Sequence, residues 1–242
     1  MSALRTAIVT GAGYGIGRAI AQSLASTGWN VVSFDLDGSR NGETLRLIED
    51  TGGTAIAVNG SVNEPEDVER ACAAAVDRFG AITGLVNCAA LRYPGPIDSL
   101  EIEQWDATID TCLRGTFLFC RSAIRRMLLS GGGSIINFSS SSAHGRPNQA
   151  AYSAAKAAVE TLTYCIALDY RDRGIRANAI IPPFTVTGMT ENATAAQIAS
   201  AARSPLGRAA LPTDVAPLAA FLLSDEAAAF SGGNFGSAGL NS

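Results

Sequence analysis

Lysine and histidine are almost missing from this 242-residue chain: it has one of each, Lys156 and His144, beside 17 arginines. With one histidine, and five cysteines (72, 88, 112, 120 and 165) in no CxxC or other metal spacing, no zinc ligand set exists and no metal is expected. An odd cysteine count without a pairing pattern fits reduced thiols in a cytoplasmic protein. There is no run of arginine, and a net charge of -4 argues against nucleic acid or an anionic membrane as a partner. No apolar run reaches the length of a membrane span. Residues Ser2 to Thr10 lead straight into a strand, with no separate apolar segment or small-residue cleavage site, so no signal peptide is expected. Charged residues are scarce at 17%, but 47% hydrophobic content excludes a disordered chain.

What is present is alternation. Short β-branched runs (Ala7 to Val9, Asn30 to Phe34, Thr54 to Val58, Leu85 to Asn87, Ser134 to Phe138, Arg176 to Ile181) are separated by longer helical stretches. Helices are expected from the first glycine loop to about Ser26, through Glu43 to Glu49, from Pro65, from Ile102 to Leu129, from Ala150 to Arg171 and from Asp214 to Leu223, before a Gly-rich tail. Continuous apolar strands alternating with helices predict an α/β fold: one parallel sheet of about seven strands covered by helices on both faces. No linker or repeat divides the chain, so a single domain over 1–242 is expected.

The first strand runs into Thr10-Gly11-Ala12-Gly13-Tyr14-Gly15-Ile16-Gly17, a TGxxxGxG pattern that opens the first helix. Glycines let the backbone turn sharply and approach a pyrophosphate, whose charge meets the helix N-terminus. A glycine loop alone is often only a tight turn; the strand–turn–helix context makes it a Rossmann-type dinucleotide cradle of Gly11, Tyr14, Gly15, Ile16 and Gly17. Asp35 follows the second strand, 18 residues after Gly17, where a carboxylate accepts from ribose hydroxyls and repels a 2'-phosphate. Leu36 is not basic and position 14 is Tyr, so NAD is expected over NADP; Arg40 is the residue that argues the other way.

The lone lysine falls four residues after Tyr152, in Tyr152-Ser153-Ala154-Ala155-Lys156, at the start of an Ala-rich helix. That spacing puts both side chains on one face. A free tyrosine has a pKa of about 10, and a neighbouring ammonium favours its phenolate. Arginine is a poor substitute for a compact ammonium, and a chain that otherwise writes arginine keeps lysine at this position.

The TGxxxGxG loop, Asp35, and YxxxK behind a serine-rich strand end together resemble the short-chain dehydrogenase/reductase family, and the resemblance spans essentially the whole chain. It implies Tyr152 as acid/base, Lys156 also on the nicotinamide ribose, and a serine that orients the substrate oxygen. Asn87-Cys88-Ala89-Ala90 stands where the family has NNAG, placing Asn87 and Ala89 along the cofactor, and Ser61-Val62 stands where it reads Asp-Val beside the adenine. Asn178 to Pro183 resembles NxxxPG, which brings Pro182, Thr185 and Thr187 to the nicotinamide, with Thr187 on its carboxamide. Pro205-Leu206-Gly207-Arg208, followed by Pro212, resembles the family's C-terminal segment. A homotetramer or homodimer built on the long middle helices is implied.

Two departures bear on chemistry. Counting 13 residues back from Tyr152 selects Ser139 as the orienting serine, whereas aligning the strand Ile135 to Ser140 on the family's IxNxSS selects Ser140. Ser140 is preferred because a strand fixes side-chain phase while a loop tolerates deletion. Cys112 replaces the family's asparagine in VNLxGxF, and a thiol is a weak donor and acceptor for the water chain that asparagine supports. The ending Gly236 to Leu240 lacks the usual VDGG. Arg92, Tyr93, Ser142 and His144 are candidate substrate contacts, and the stretch 188–204 is expected to cap a substrate smaller than an acyl-CoA. The expected activity is NAD-dependent interconversion of a secondary alcohol and a ketone, on a polyol, sugar or small hydroxy compound. The alternatives are a 3-oxoacyl carrier-protein reductase using NADP, and a cofactor-sensing protein without turnover.

Overall fold

Short apolar runs, the central ones buried almost end to end, form seven parallel strands: β1 (Thr6–Thr10), β2 (Asn30–Asp35), β3 (Thr54–Asn59), β4 (Gly84–Asn87), β5 (Gly133–Phe138), β6 (Ile175–Ile181) and β7 (Asn234–Gly236). They line up in the order β3-β2-β1-β4-β5-β6-β7. The computed structural model describes residues 5–190, 195–202 and 206–236. Parts of the capping stretch (191–194, 203–204), Pro205 and the ending from 237 fall outside the described residues.

The helices are α1 (Gly15–Ser26), α2 (Gly38–Glu49), α3 (Pro65–Phe79), α4 (Ile102–Ile109), α5 (Gly115–Ser130), α6 (Ala150–Asp169), α7 (Ala195–Ala202) and α8 (Pro212–Leu223). Alternate strand residues feed two cores. Ala7, Val9, Val31, Val86, Ile136 and Ile180 pack with α1 and α8 on one face. Ile8, Val32, Leu85, Ile135 and Ala177 pack with α3 and α5 on the other. Ends are marked as the sequence suggests: Pro65 opens α3, and Gly80 and Gly131 close α3 and α5 in the left-handed conformation.

The structure corrects three boundaries. The single helix expected from Ile102 to Leu129 is broken by a π-turn, Asp110–Arg114, in which the Gly115 N–H reaches back to the Asp110 carbonyl and the Thr116 hydroxyl donates to the Cys112 carbonyl at 2.9 Å. Gly115 is needed there, since a Cβ would lie 2.7 Å from a Val62 methyl. Helix α6 ends at Asp169, and Arg171–Arg173 form a separate 3-10 turn. The Gly-rich tail contributes β7, a strand too short at three residues for a periodicity signal, held beside β6 by Ala179 to Ile181.

Candidate active site

The order of strands reverses between β1 and β4, and in open α/β sheets the crevice beyond such a switch point is where ligands bind. Here the two strand ends are drawn together. The Thr10 hydroxyl accepts from the Cys88 and Ala89 N–H groups, both at 3.1 Å. Gly11 has φ 65°, and a Cβ on it would stand 2.9 Å from the Ala89 backbone. Gly17 permits an equally close approach: its Cβ would lie 2.1 Å from the Gly11 carbonyl oxygen. The loop therefore presents bare backbone at the N-terminus of α1, which is the surface a dinucleotide pyrophosphate requires.

Asp35 closes β2 against this loop. One carboxylate oxygen accepts from the Gly13 N–H at 2.8 Å and the other from the Asp37 N–H at 2.9 Å. A Cβ on Gly13 would come 2.8 Å from the Asp35 carboxyl carbon. Gly13 is a free position in the TGxxxGxG pattern, so its role escapes the motif; the acid it faces is 22 residues away. Tyr14 is exposed, with the guanidinium carbons of Arg18 and Arg40 at 5.7 and 5.4 Å from its ring centroid. Arg40 also pairs with Asp37 at 3.4 Å. Ile16 is half-buried against the core that carries α1.

Ser61 and Val62 follow β3. The Ser61 N–H donates to Asp67 at 2.8 Å and the Ser61 hydroxyl accepts from Asn63 N–H at 3.1 Å. The Ser61 N–H, and then Arg70, hold the Asp67 carboxyl below its ordinary value. Asn87, at the end of β4, donates to Asn137 at 2.8 Å, and Asn137 donates in turn to the Thr163 hydroxyl at 2.9 Å. The Asn87 Oδ1 is buried with no protein partner. Burial pushes the Cys88 thiol up to about 12, with Lys156 opposing, so this substituent of the family's second asparagine stays neutral.

Tyr152 and Lys156 sit on the first turns of α6, 8% and 2% exposed. The Lys156 ammonium lies 5.6 Å from the Tyr152 ring centroid and donates to the Phe138 carbonyl at 2.6 Å. Phe138 ends β5, and the two serines that follow it have different surroundings. Ser139 is buried and donates to Glu160 Oε1 at 2.6 Å, with the Lys156 carbonyl at 3.3 Å. Ser140 is half-buried and extended (φ -159°, ψ 152°), and its hydroxyl only accepts, from the Ser142 N–H at 3.1 Å. A hydroxyl used as an acceptor still has its proton to donate. Ser142 turns inward, donating to Gln149 at 2.8 Å, whereas His144 is exposed.

Cys112 is buried in the π-turn against Tyr152 and Ala155. Its sulfur accepts from the Leu91 N–H at 3.5 Å and donates to the Leu91 carbonyl at 3.3 Å. The thiol thus clamps a backbone segment, a role invisible in the sequence because the partner lies in a loop 21 residues away. Arg92, the next residue, donates to the Met189 carbonyl at 3.1 Å, across to the segment after β6. In that segment Pro182 follows β6 directly, the buried Thr185 donates to the Pro183 carbonyl at 2.8 Å, and the Thr187 N–H donates to the Thr190 hydroxyl at 2.8 Å. The Thr187 methyl stands 3.2 Å from where a Gly15 Cβ would be, so the strand-end segments meet over the glycine loop.

Among the described residues no group of histidine, cysteine and acidic side chains is arranged to hold a metal, and no helix is long and apolar enough to cross a membrane.

Residues 11–239 match the sequence profile described as enoyl-(acyl carrier protein) reductase. The 3beta-hydroxysteroid dehydrogenase 1 of Eggerthella lenta is 40% identical over 238 residues, covering 94% of this chain and 90% of the relative. A 3-oxoacyl-[acyl-carrier-protein] reductase of Synechocystis is 38% identical over 228 residues, covering 93% and 92%. A Burkholderia xenovorans crystal structure assigned to the short-chain dehydrogenases/reductases superposes with a TM-score of 0.90 at 31% identity, over 96% of this chain and 94% of that one.

Proposed function

The chain belongs to the short-chain dehydrogenase/reductase family, an oxidoreductase acting on CH-OH groups, and on that premise we propose that it interconverts a secondary alcohol and a ketone with NAD. One observation carries the reading. Among the described residues Lys156 is a buried ammonium whose one protein acceptor is a backbone carbonyl, with no carboxylate paired to it. A buried charge this poorly matched is costly as a structural element, but it suits a site that receives a polar ligand.

The residues present fit a dinucleotide. Gly11, Gly15 and Gly17 would cradle its phosphates with Tyr14 and Ile16 at the helix start, and Asp35 would take the adenosine ribose hydroxyls. Ser61 and Val62 would flank the adenine; Asn87, Ala89, Lys156, Pro182, Thr185 and Thr187 would hold the nicotinamide half. The bound cofactor supplies the hydride acceptor. The protein supplies the rest. Ser140 donates its free proton to the substrate oxygen and so fixes its position. Tyr152 takes the hydroxyl proton in the oxidative direction and returns it in the reductive one. Lys156, held by the Phe138 carbonyl, sets positive charge beside that phenol ring at the moment negative charge appears on it.

A polyol, sugar or small hydroxy compound suits the short segment after β6. The second reading, a 3-oxoacyl carrier-protein reductase using NADP, draws on the Synechocystis relative; Asp35 opposes it, and Arg40 is engaged with Asp37 and Tyr14. The test is purified protein with NAD or NADP and a panel of secondary alcohols, read by absorbance of the reduced cofactor. Tyr152→Phe is expected to abolish turnover while cofactor binding persists. Normal turnover in that variant sinks the mechanism, and tight cofactor binding without turnover of any alcohol by the parent protein favours a sensor.

A further inference from the structure

We infer, resting on that reading of the site, that the substrate is a compact anion: a hydroxy acid or its oxo counterpart, its carboxylate held by Arg92 and Arg146 at the mouth of the cleft while its hydroxyl meets Ser140 and Tyr152. Three segments frame the mouth: 88–96 after β4, 139–149 after β5 and 182–190 after β6. They are tied together by the Gly95 N–H, which donates to the Asn148 carbonyl at 2.9 Å, and by Arg92 on the Met189 carbonyl at 3.1 Å. Between them they carry Arg92, His144 and Arg146 and not one acid, in a chain whose acids outnumber its lysines and arginines 22 to 18.

Among the described residues no carboxylate pairs with this local excess. Elsewhere among the described residues eight of the other fourteen arginines meet a carboxylate. Arg92 and Arg146 do not: the first donates to the Met189 carbonyl, the second to the Ser141 hydroxyl at 3.4 Å. Glu191, the next acid along the chain from Met189, lies outside the described residues. Each guanidinium has five N–H donors, so most of the donors on both are unused by the described residues. Both are also anchored beside the chemistry. Arg92 adjoins Leu91, which Cys112 clamps while packing on Tyr152. The hydroxyl that meets Arg146 belongs to Ser141, the neighbour of Ser140.

A neutral polyol needs acceptors as well as donors, and guanidinium groups offer donors only. A carboxylate matches their planar fork and their charge. The Arg92 tie to Met189 spans the mouth, which limits the length of what lies beneath it.

The decisive measurement is competition against a neutral secondary alcohol (cyclohexanol as first probe), using cyclohexanecarboxylate and its uncharged analogue cyclohexanecarboxamide. The carboxylate is expected to inhibit competitively with a constant at least about tenfold below that of the carboxamide, the size of one charge-assisted contact. The double variant Arg92→Gln/Arg146→Gln is expected to bring the two inhibitors within about twofold, and Arg92→Lys, which keeps the charge, to retain part of the preference. Equal inhibition in the parent protein, or an unchanged ratio in the double variant, overturns the anion site. Absence of turnover on every alcohol strikes the reading of the function instead. The anion site is then judged by the same carboxylate-to-carboxamide ratio for binding to NADH-loaded protein, followed by fluorescence, where no preference overturns it.

Discussion

Replacing Cys112 by alanine tests whether a thiol has taken over the structural work of an amide. The side chain is fully buried, and truncation removes a methyl-sized group from contact with Tyr152 and Ala155, a loss of about 1 kcal/mol. It also frees the Leu91 N–H and carbonyl from their sulfur partner, about 0.5 kcal/mol for each of two weak hydrogen bonds in a half-buried segment. The expected cost is about 2 kcal/mol, which in a domain of this size lowers the melting temperature by about 4–8 °C. Cys112→Asn keeps a donor and an acceptor for Leu91 and is expected to stay within about 1 kcal/mol of the parent protein. Thermal and urea unfolding at fixed protein concentration measure both. Steady-state kinetics with saturating NAD should show KM rising in the alanine variant, because Arg92 follows the freed residue. An alanine variant as stable as the parent, or an asparagine variant as damaged as alanine, refutes the clamp.

Ser140→Ala is expected to reduce kcat by about a hundredfold or more with cofactor affinity retained, whereas Ser139→Ala should mainly lower stability by removing the donor to Glu160 Oε1, leaving that carboxylate only Asn234; the reverse pattern in paired kinetics and melting curves would move the substrate contact to Ser139. Thiol titration of the native protein should find one fast cysteine, the exposed Cys165, and five after unfolding. Burial raises the Cys72, Cys88 and Cys120 thiols to about 11, 12 and 12 and Cys112 has no exposed surface, so a second fast thiol would contradict the packing. Asp214, capping α8, is held down to about 2 by Arg208 and the Leu211 N–H, so its contribution is present above its ordinary value of 3.8 and disappears as pH falls through 2. The melting difference between parent and Asp214→Asn should therefore shrink on acidification, and a difference independent of pH would show that the carboxylate charge is not what stabilises the cap.

Features written in contiguous residues are legible in the sequence. The strands announce themselves by composition, the turn into α1 by its glycines, and the Tyr152–Lys156 pair by a helical spacing made conspicuous in a chain with one lysine. Features that need a partner from elsewhere are not. The choice between Ser139 and Ser140 depends on which hydroxyl Glu160 has claimed, 21 residues downstream. The requirement for Gly13 depends on Asp35, and that for Gly115 on Val62. Cys112 reads in sequence as a lost water ligand; its side chain is in fact spent on Leu91. Strand β7 failed for a different reason, being too short to carry a period.

The end of β5 has a further consequence. Phe138 anchors the ammonium through its carbonyl, Ser139 braces α6 through Glu160, and Ser140 offers the free hydroxyl, three successive residues continuous with one of the most enclosed strands of the sheet. On the proposed mechanism the reacting groups are thereby indexed to the sheet itself, while the residues proposed to choose a substrate hang on the outlying segments around Arg92, Arg146 and Met189. Such a chain is divisible for engineering: exchanging the rim segments should retarget it, whereas even a one-residue insertion within β5 should silence it for every substrate at once.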